Sequence, residues 1–201
     1  MISIDDYSIT VGYDDVELRA KLPRLPIGGY VIEIRGYKVE NYSFGDVLVL
    51  AFDIVEGEYT GFYEDNFARQ TTEDKKWKGT IRLNIPDDDS EEWAVRSFKS
   101  NMRAFETSNE GFVWHWDESK LKGLKVGALF RNKEWAGDNG SGGWYTECFM
   151  LYDADMIRSG DFEMPKDKPL KRNENAGGFA DTAPTQQSAP FGTLNDDDIP
   201  F

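Results

Sequence analysis

Tyr37 adjoins Lys38, Lys75-Lys76-Trp77-Lys78 sets one indole among three ammonium groups, Phe130 precedes Arg131, and Trp135 stands two residues beyond Lys133. A flat ring beside a cation suits a ligand that alternates flat bases with phosphates: each stacked base contributes about 1–3 kcal/mol, and cations follow the backbone. With six Trp, nine Tyr and thirteen Phe, the chain holds more rings than one core needs. For any single ring, core packing is the more ordinary role, so the reading rests on the set. Trp77 leads it, because Lys-Lys-Trp-Lys-Gly offers no apolar neighbour that would demand burial.

Positive charge gathers in two stretches. Arg69, Lys75, Lys76, Lys78 and Arg82 stand against Glu73 and Asp74, and Lys120, Lys122, Lys125, Arg131 and Lys133 fall in a window without an acid. The rest is acidic. The formal charge is −14; residues 161–201 carry eight acids and four bases, which leaves 29 acids against 19 bases, or −10, for residues 1–160. Nucleic-acid affinity draws heavily on Lys and Arg displacing condensed counterions, so such a body must collect its cations on one face. The candidate contacts are Tyr37, Lys38, Arg69, Lys75, Lys76, Trp77, Lys78, Arg82, Lys122, Lys125, Phe130, Arg131, Lys133 and Trp135.

Catalytic chemistry has little support. There is no Gly-Lys-Ser/Thr phosphate loop, no Gly-x-Ser-x-Gly elbow, no His-Glu-x-x-His and no dinucleotide fingerprint. His115 is the only histidine and lacks ligand companions, while Cys148, between Glu147 and Phe149, reads as a small buried hydrophobe. Two acidic groups, Asp87-Asp88-Asp89 with Glu91 and Glu92, and Asp53 with Glu56 and Glu58, have the composition of a two-metal nuclease site. Helix capping and turn chemistry account for both more simply. Trp114-His115-Trp116 places two rings on one side of an expected strand, as a stacking platform or as core. The chain reads as a non-enzyme without metal or cofactor.

The elements that must position these residues are mostly strands. Tyr30–Tyr42 is extended, with Tyr30, Ile32 and Ile34 alternating against Val31, Glu33 and Arg35. Asp46–Val55 is almost continuously apolar, as in a strand covered on both faces. Ile81, Leu83 and Ile85 form a third, and strands return at Val126–Trp135 and Trp144–Tyr152 across the Asp138–Gly143 turn. One helix is expected after Asp89, whose spacing to Glu92 matches a capping box, with Ala94, Phe98, Met102 and Phe105 as its buried stripe. Three strands, a helix and two closing strands predict a mainly β, OB-fold-like barrel over residues 1–160, with an SH3-like barrel or a small sandwich as the alternatives. Residues 161–195, rich in Pro, Lys, Asn, Gln, Thr and Gly, are expected to be a disordered linker. One cysteine, a start without a signal peptide and no bilayer-length apolar run predict a cytoplasmic protein without a membrane partner.

The sequence ends Asp196-Asp197-Asp198-Ile199-Pro200-Phe201. Burying Ile199 and Phe201 in a partner's pocket would gain about 1.5–3 kcal/mol each, with basic residues around it meeting the aspartates and an Arg the terminal carboxylate. This string resembles the acidic tip of bacterial single-stranded DNA-binding proteins, which in that family docks replication and repair enzymes. The body has its own likeness. Gly29-Tyr30, Phe52-Asp53-Ile54-Val55-Glu56-Gly57, Leu124-Lys125-Val126-Gly127-Ala128-Leu129-Phe130, Trp144-Tyr145-Thr146 and Ile157-Arg158-Ser159-Gly160-Asp161-Phe162 resemble OB-fold single-stranded DNA-binding proteins of phages of Gram-positive bacteria.

The resemblance implies a protein that coats single-stranded DNA with little sequence preference in phage replication or recombination, in the cytoplasm of a bacterial host. Its tip would recruit replication, recombination and repair proteins. The 35-residue linker, as a flexible coil, spans about 30 Å. The competing expectation is an acidic adaptor or DNA mimic that captures host proteins through the same tip without binding DNA. Homo-oligomerisation is left open by the sequence.

Overall fold

The computed structural model describes residues 24–138 and 140–170. The expected tip, Asp196–Phe201, and residues 171–195 of the expected linker lie outside the described residues. Five strands make one antiparallel sheet: β1 (Gly28–Tyr42), β2 (Gly45–Ile54), β3 (Thr80–Asn84), β4 (Lys125–Ala136) and β5 (Gly142–Tyr152), in the order β3-β2-β1-β4-β5. Helix α1 (Phe62–Arg69) links β2 to β3, α2 (Glu92–Ser108) links β3 to β4, and α3 (Ala154–Ser159) follows β5. With five antiparallel strands and the longest helix between the third and fourth of them, the domain has the mainly β architecture expected from the sequence. β3 and β5 form its two edges, and among the described residues no ladder joins them.

The apolar run of β2 is explained by its place. Between β1 and β3, it buries Val47, Val49 and Ala51 on one face and Leu48, Leu50, Phe52 and Ile54 on the other. Phe52, Phe130, Ile32, Ile34, Val126 and Phe105 complete a core that α2 closes with Phe98 and Met102. Ala94, expected in that stripe, is half-buried. At Arg35, β1 shifts register against β2 between Ile34 and Gly36, a bulge that bends a strand. Beyond it β1 pairs with β2 alone. α3 lies against β1 and β4 with Ile157 over Gly127, where a Cβ would sit 2.6 Å from Ile157 Cγ1 and 2.7 Å from the Asp153 carbonyl. Only glycine allows that approach.

Four expectations change. The capping box does not form: α2 starts at Glu92 without a side-chain cap, and Asp87 Oδ1 accepts from the Asp89 amide at 3.2 Å and the Ser90 hydroxyl at 2.6 Å. α1 was not expected, because its sequence carries no cap of its own. Trp114 and Trp116 do not share a strand. Trp114 packs against the core and Trp116, at φ 59°, stacks on Phe98 with ring centroids 5.7 Å apart. Finally, the folded unit runs beyond residue 160. Phe162 packs beside Ile157, and Lys168 exchanges backbone hydrogen bonds with β4, donating to the Asn132 carbonyl (2.8 Å) and accepting from the Glu134 amide (3.0 Å).

Candidate nucleic-acid interface

Between the two edge strands lies a groove of about 990 Å³. One wall comes from β3 and the segment before it (Lys78, Thr80, Ile81, Arg82) and from α1 (Phe62, Tyr63, Asn66). The other comes from β4 (Arg131, Lys133, Trp135) and β5 (Tyr145, Thr146, Glu147, Cys148, Phe149), with Arg24, Leu25 and Lys168 at its flanks. Six cations therefore line it, against one carboxylate, in a protein whose residues 1–160 carry a net −10.

Strand alternation and register produce the second wall. Residues i and i+2 of a strand share a face, and directly opposed residues of paired strands do too. Arg131 faces Glu147, Lys133 faces Tyr145, and Trp135 faces Gly143. Cations and rings interleave: the Arg131 guanidinium lies 4.3 Å from the centroid of Phe149, and the Lys133 ammonium 5.7 Å from that of Tyr145. Glu147 Oε1 accepts from Arg131 Nε at 3.0 Å and Nη2 at 2.9 Å, while Oε2 meets Lys133 Nζ at 3.1 Å. Partial burial works against the Lys133 charge, but hydrogen bonds to Tyr145 and Glu147 raise its pKa above the ordinary lysine value. Trp135 is 43% and Tyr145 40% exposed, so both remain reachable from solvent. Gly143 permits this, its absent Cβ lying 3.3 Å from the Trp135 Nε1.

On the opposite wall, Arg82 Nη1 reaches Glu40 Oε2 at 2.7 Å, and Lys38 pairs with Glu40 Oε1 at 3.2 Å. The flanks are tied in by side-chain hydrogen bonds, mostly to backbone. Thr146 Oγ1 donates to the Leu25 carbonyl at 2.6 Å and Arg24 Nη1 to the Trp144 carbonyl at 3.4 Å. Asn132 holds Asp167 (2.8 Å), and the Leu170 amide donates to Glu134 (2.9 Å), which fixes the strap carrying Lys168.

The structure brings together Lys78, Arg82, Arg131, Lys133 and Trp135 of the expected set. It separates the others. Phe130 is fully buried, its ring edge-on to Tyr30 and Phe52, so it packs the core and offers no base a face. The alternation of β4 sends it inward beside an outward Arg131. Trp77 does have apolar company: its ring rests on Phe67 and the core, and its Nε1 donates to the carbonyls of Phe52 (3.1 Å) and Gly79 (3.2 Å). It clamps β2 to the segment entering β3. Lys75 lies over Phe67, 5.6 Å from its centroid, and Lys76 is held through its amide by Gln70. Arg69 ends α1, exposed; Lys122 is exposed beyond a 3₁₀ turn, Glu118–Leu121; Lys125 stands 3.9 Å from Glu56. Tyr37, 42% exposed, and Lys38 lie on the part of β1 that pairs only with β2.

Arg24, Phe62, Asn66, Tyr145, Phe149 and Lys168 join the groove without having been expected there. Tyr145 and Phe149 had a signal, the alternation Tyr145-Glu147-Phe149 opposite Lys133 and Arg131 once a hairpin register is assigned. Arg24 and Lys168 had none, since they reach the groove from segments outside the sheet.

Of the acidic group Asp53, Glu56 and Glu58, the first two are engaged structurally. Asp53 accepts three backbone amides, from Ile54, Tyr63 and Glu64. Glu56 forms a two-pronged pair with Arg158, at 2.9 and 2.8 Å. Among the described residues, no group of three or more His, Cys, Asp and Glu side chains is placed to hold a metal ion, and no helix is long and apolar enough to cross a membrane.

Fold and groove define a class: a mainly β domain of five antiparallel strands with a cationic, aromatic furrow between its edges. Neither a protein-family model nor a curated protein matches the chain.

Proposed function

We propose that this chain binds single-stranded DNA, as a non-enzymatic coat for unpaired strands in phage replication or recombination. The observation that carries this reading is the groove itself, where six cations and exposed rings collect on one face of an acidic protein. Phosphates would run along Arg131, Lys133 and Arg82, with bases on Trp135 and Tyr145, a combination that tolerates any sequence because every base has a flat face. The tip, Asp196–Phe201, would recruit replication, recombination and repair proteins of the host.

Titration with oligothymidylate tests it. Trp135 lies in the groove, so binding should quench tryptophan fluorescence and weaken steeply with added salt. The acidic adaptor is the second reading, favoured by the −10 of residues 1–160. It requires that neither response occur. Deleting residues 193–201 should preserve or strengthen strand binding and abolish recruitment of partner proteins; loss of strand affinity would overturn the role given to the tip.

A further inference from the structure

We infer that Glu147 is an internal stand-in for phosphate, a removable counterion that lowers the groove's affinity for every anion and so keeps ligands offering charge alone from binding appreciably. The inference rests on the groove binding single strands.

Glu147 is the one acid among the groove's lining residues. Its two oxygens are divided between two cations, Oε1 to Arg131 and Oε2 to Lys133, at 2.9–3.1 Å. A bridging phosphate would occupy the same place. Each of these cations also lies over a ring, Arg131 over Phe149 and Lys133 over Tyr145, so both would stay in position when the carboxylate is displaced. A polyanion that offers charge alone exchanges one anion for another at this point and gains little. A strand with accessible bases adds stacking on the neighbouring rings, and that addition drives the exchange. Glu147 thereby sets a threshold that only a ligand of phosphates plus free bases clears.

Glu147→Gln in the full-length chain tests this, because it keeps the shape and removes the competing charge. Oligothymidylate should bind about fivefold tighter at low salt, the scale of losing one competing ion pair. Its salt dependence, as log K against log[salt], should steepen by about 0.7. Inorganic polyphosphate, the base-free probe, should gain by a similar factor, since it pays the same cost of displacing Glu147; a gain confined to one of the two ligands overturns the inference. Unchanged or weaker oligothymidylate binding overturns the inference, since a glutamate that merely positions Arg131 would lose affinity on substitution. Glu147→Thr, a β-former without charge, is the second variant should the first fail to fold, with the same outcomes. If the unaltered protein ignores oligothymidylate altogether, the functional reading itself falls; if it binds and the variants shift the wrong way, only the role of Glu147 does.

Discussion

The Asp53 carboxylate, fully buried on β2, accepts the Tyr63 amide at the start of α1 at 2.9 Å. The helix begins after Gly61, which has no side chain to cap it, so Asp53 Oδ1 takes Tyr63 and Oδ2 takes Glu64 at 3.1 Å from ten and eleven residues away. The anion also faces the positive end of the helix dipole. α1 in turn places Phe62, Tyr63 and Asn66 in the groove wall. An acid with the composition of a metal ligand thus builds the scaffold of the groove.

Asp53→Ala should therefore destabilise the protein by about 2–4 kcal/mol, through a lost cap and buried amides left without partners. Urea unfolding monitored by circular dichroism checks this. An unchanged midpoint would show that water replaces the carboxylate at no cost.

Arg131→Ala and Lys133→Ala should each weaken oligothymidylate binding and lower its salt dependence by about 0.7. Arg69→Ala, Lys75→Ala and Lys122→Ala remove the same charge outside the groove and should leave that dependence nearly unchanged. Equal effects in both groups would mean that the groove is not the strand's path.

Trp135→Ala and Tyr145→Ala should cost about 1–3 kcal/mol of binding each with little change in melting temperature. The reverse holds for Phe130→Ala, which empties a fully enclosed site and should lower stability by about 3–5 kcal/mol. Trp77→Ala should likewise act on stability, through its two indole hydrogen bonds and its packing on Phe67. Paired melts and titrations separate the two classes.

Acid should release the Glu40 cluster. Partial burial works against this carboxylate's charge, but hydrogen bonds from Tyr42, Arg82 and Lys38 outweigh it and bring its pKa from 4.5 down to about 2. A carboxyl depressed in the folded state stabilises fully above its unfolded value and loses that stabilisation as pH falls through the folded one. Glu40→Gln should therefore melt below the unaltered protein at neutral pH, with the gap closing between pH 4.5 and about 2. A gap constant across that window would show that the cluster contributes no linked stability.

The local pattern of residues determined which segments are strands. Alternation in β1 and the continuous apolar run of β2 follow from burial on one face or two, and Val126–Trp135 and Trp144–Tyr152 coincide with β4 and β5 because their apolar residues answer to the same period. That pattern also located Lys78, Arg82, Arg131, Lys133 and Trp135 of the groove. It did not determine which of them meet. Phe130 and Arg131 are neighbours in sequence and opposite in orientation, and Trp77 sits among lysines yet finds its apolar partner, Phe67, ten residues earlier across a turn. α1 was invisible locally because its cap comes from β2, while Arg24 reaches the groove through its guanidinium bond to the Trp144 carbonyl and Lys168 through its backbone bonds to β4. Periodicity is a property of neighbours along the chain; register, capping at a distance and the collection of like charges against an acidic body depend on how the strands pair, which is settled only when the sheet forms.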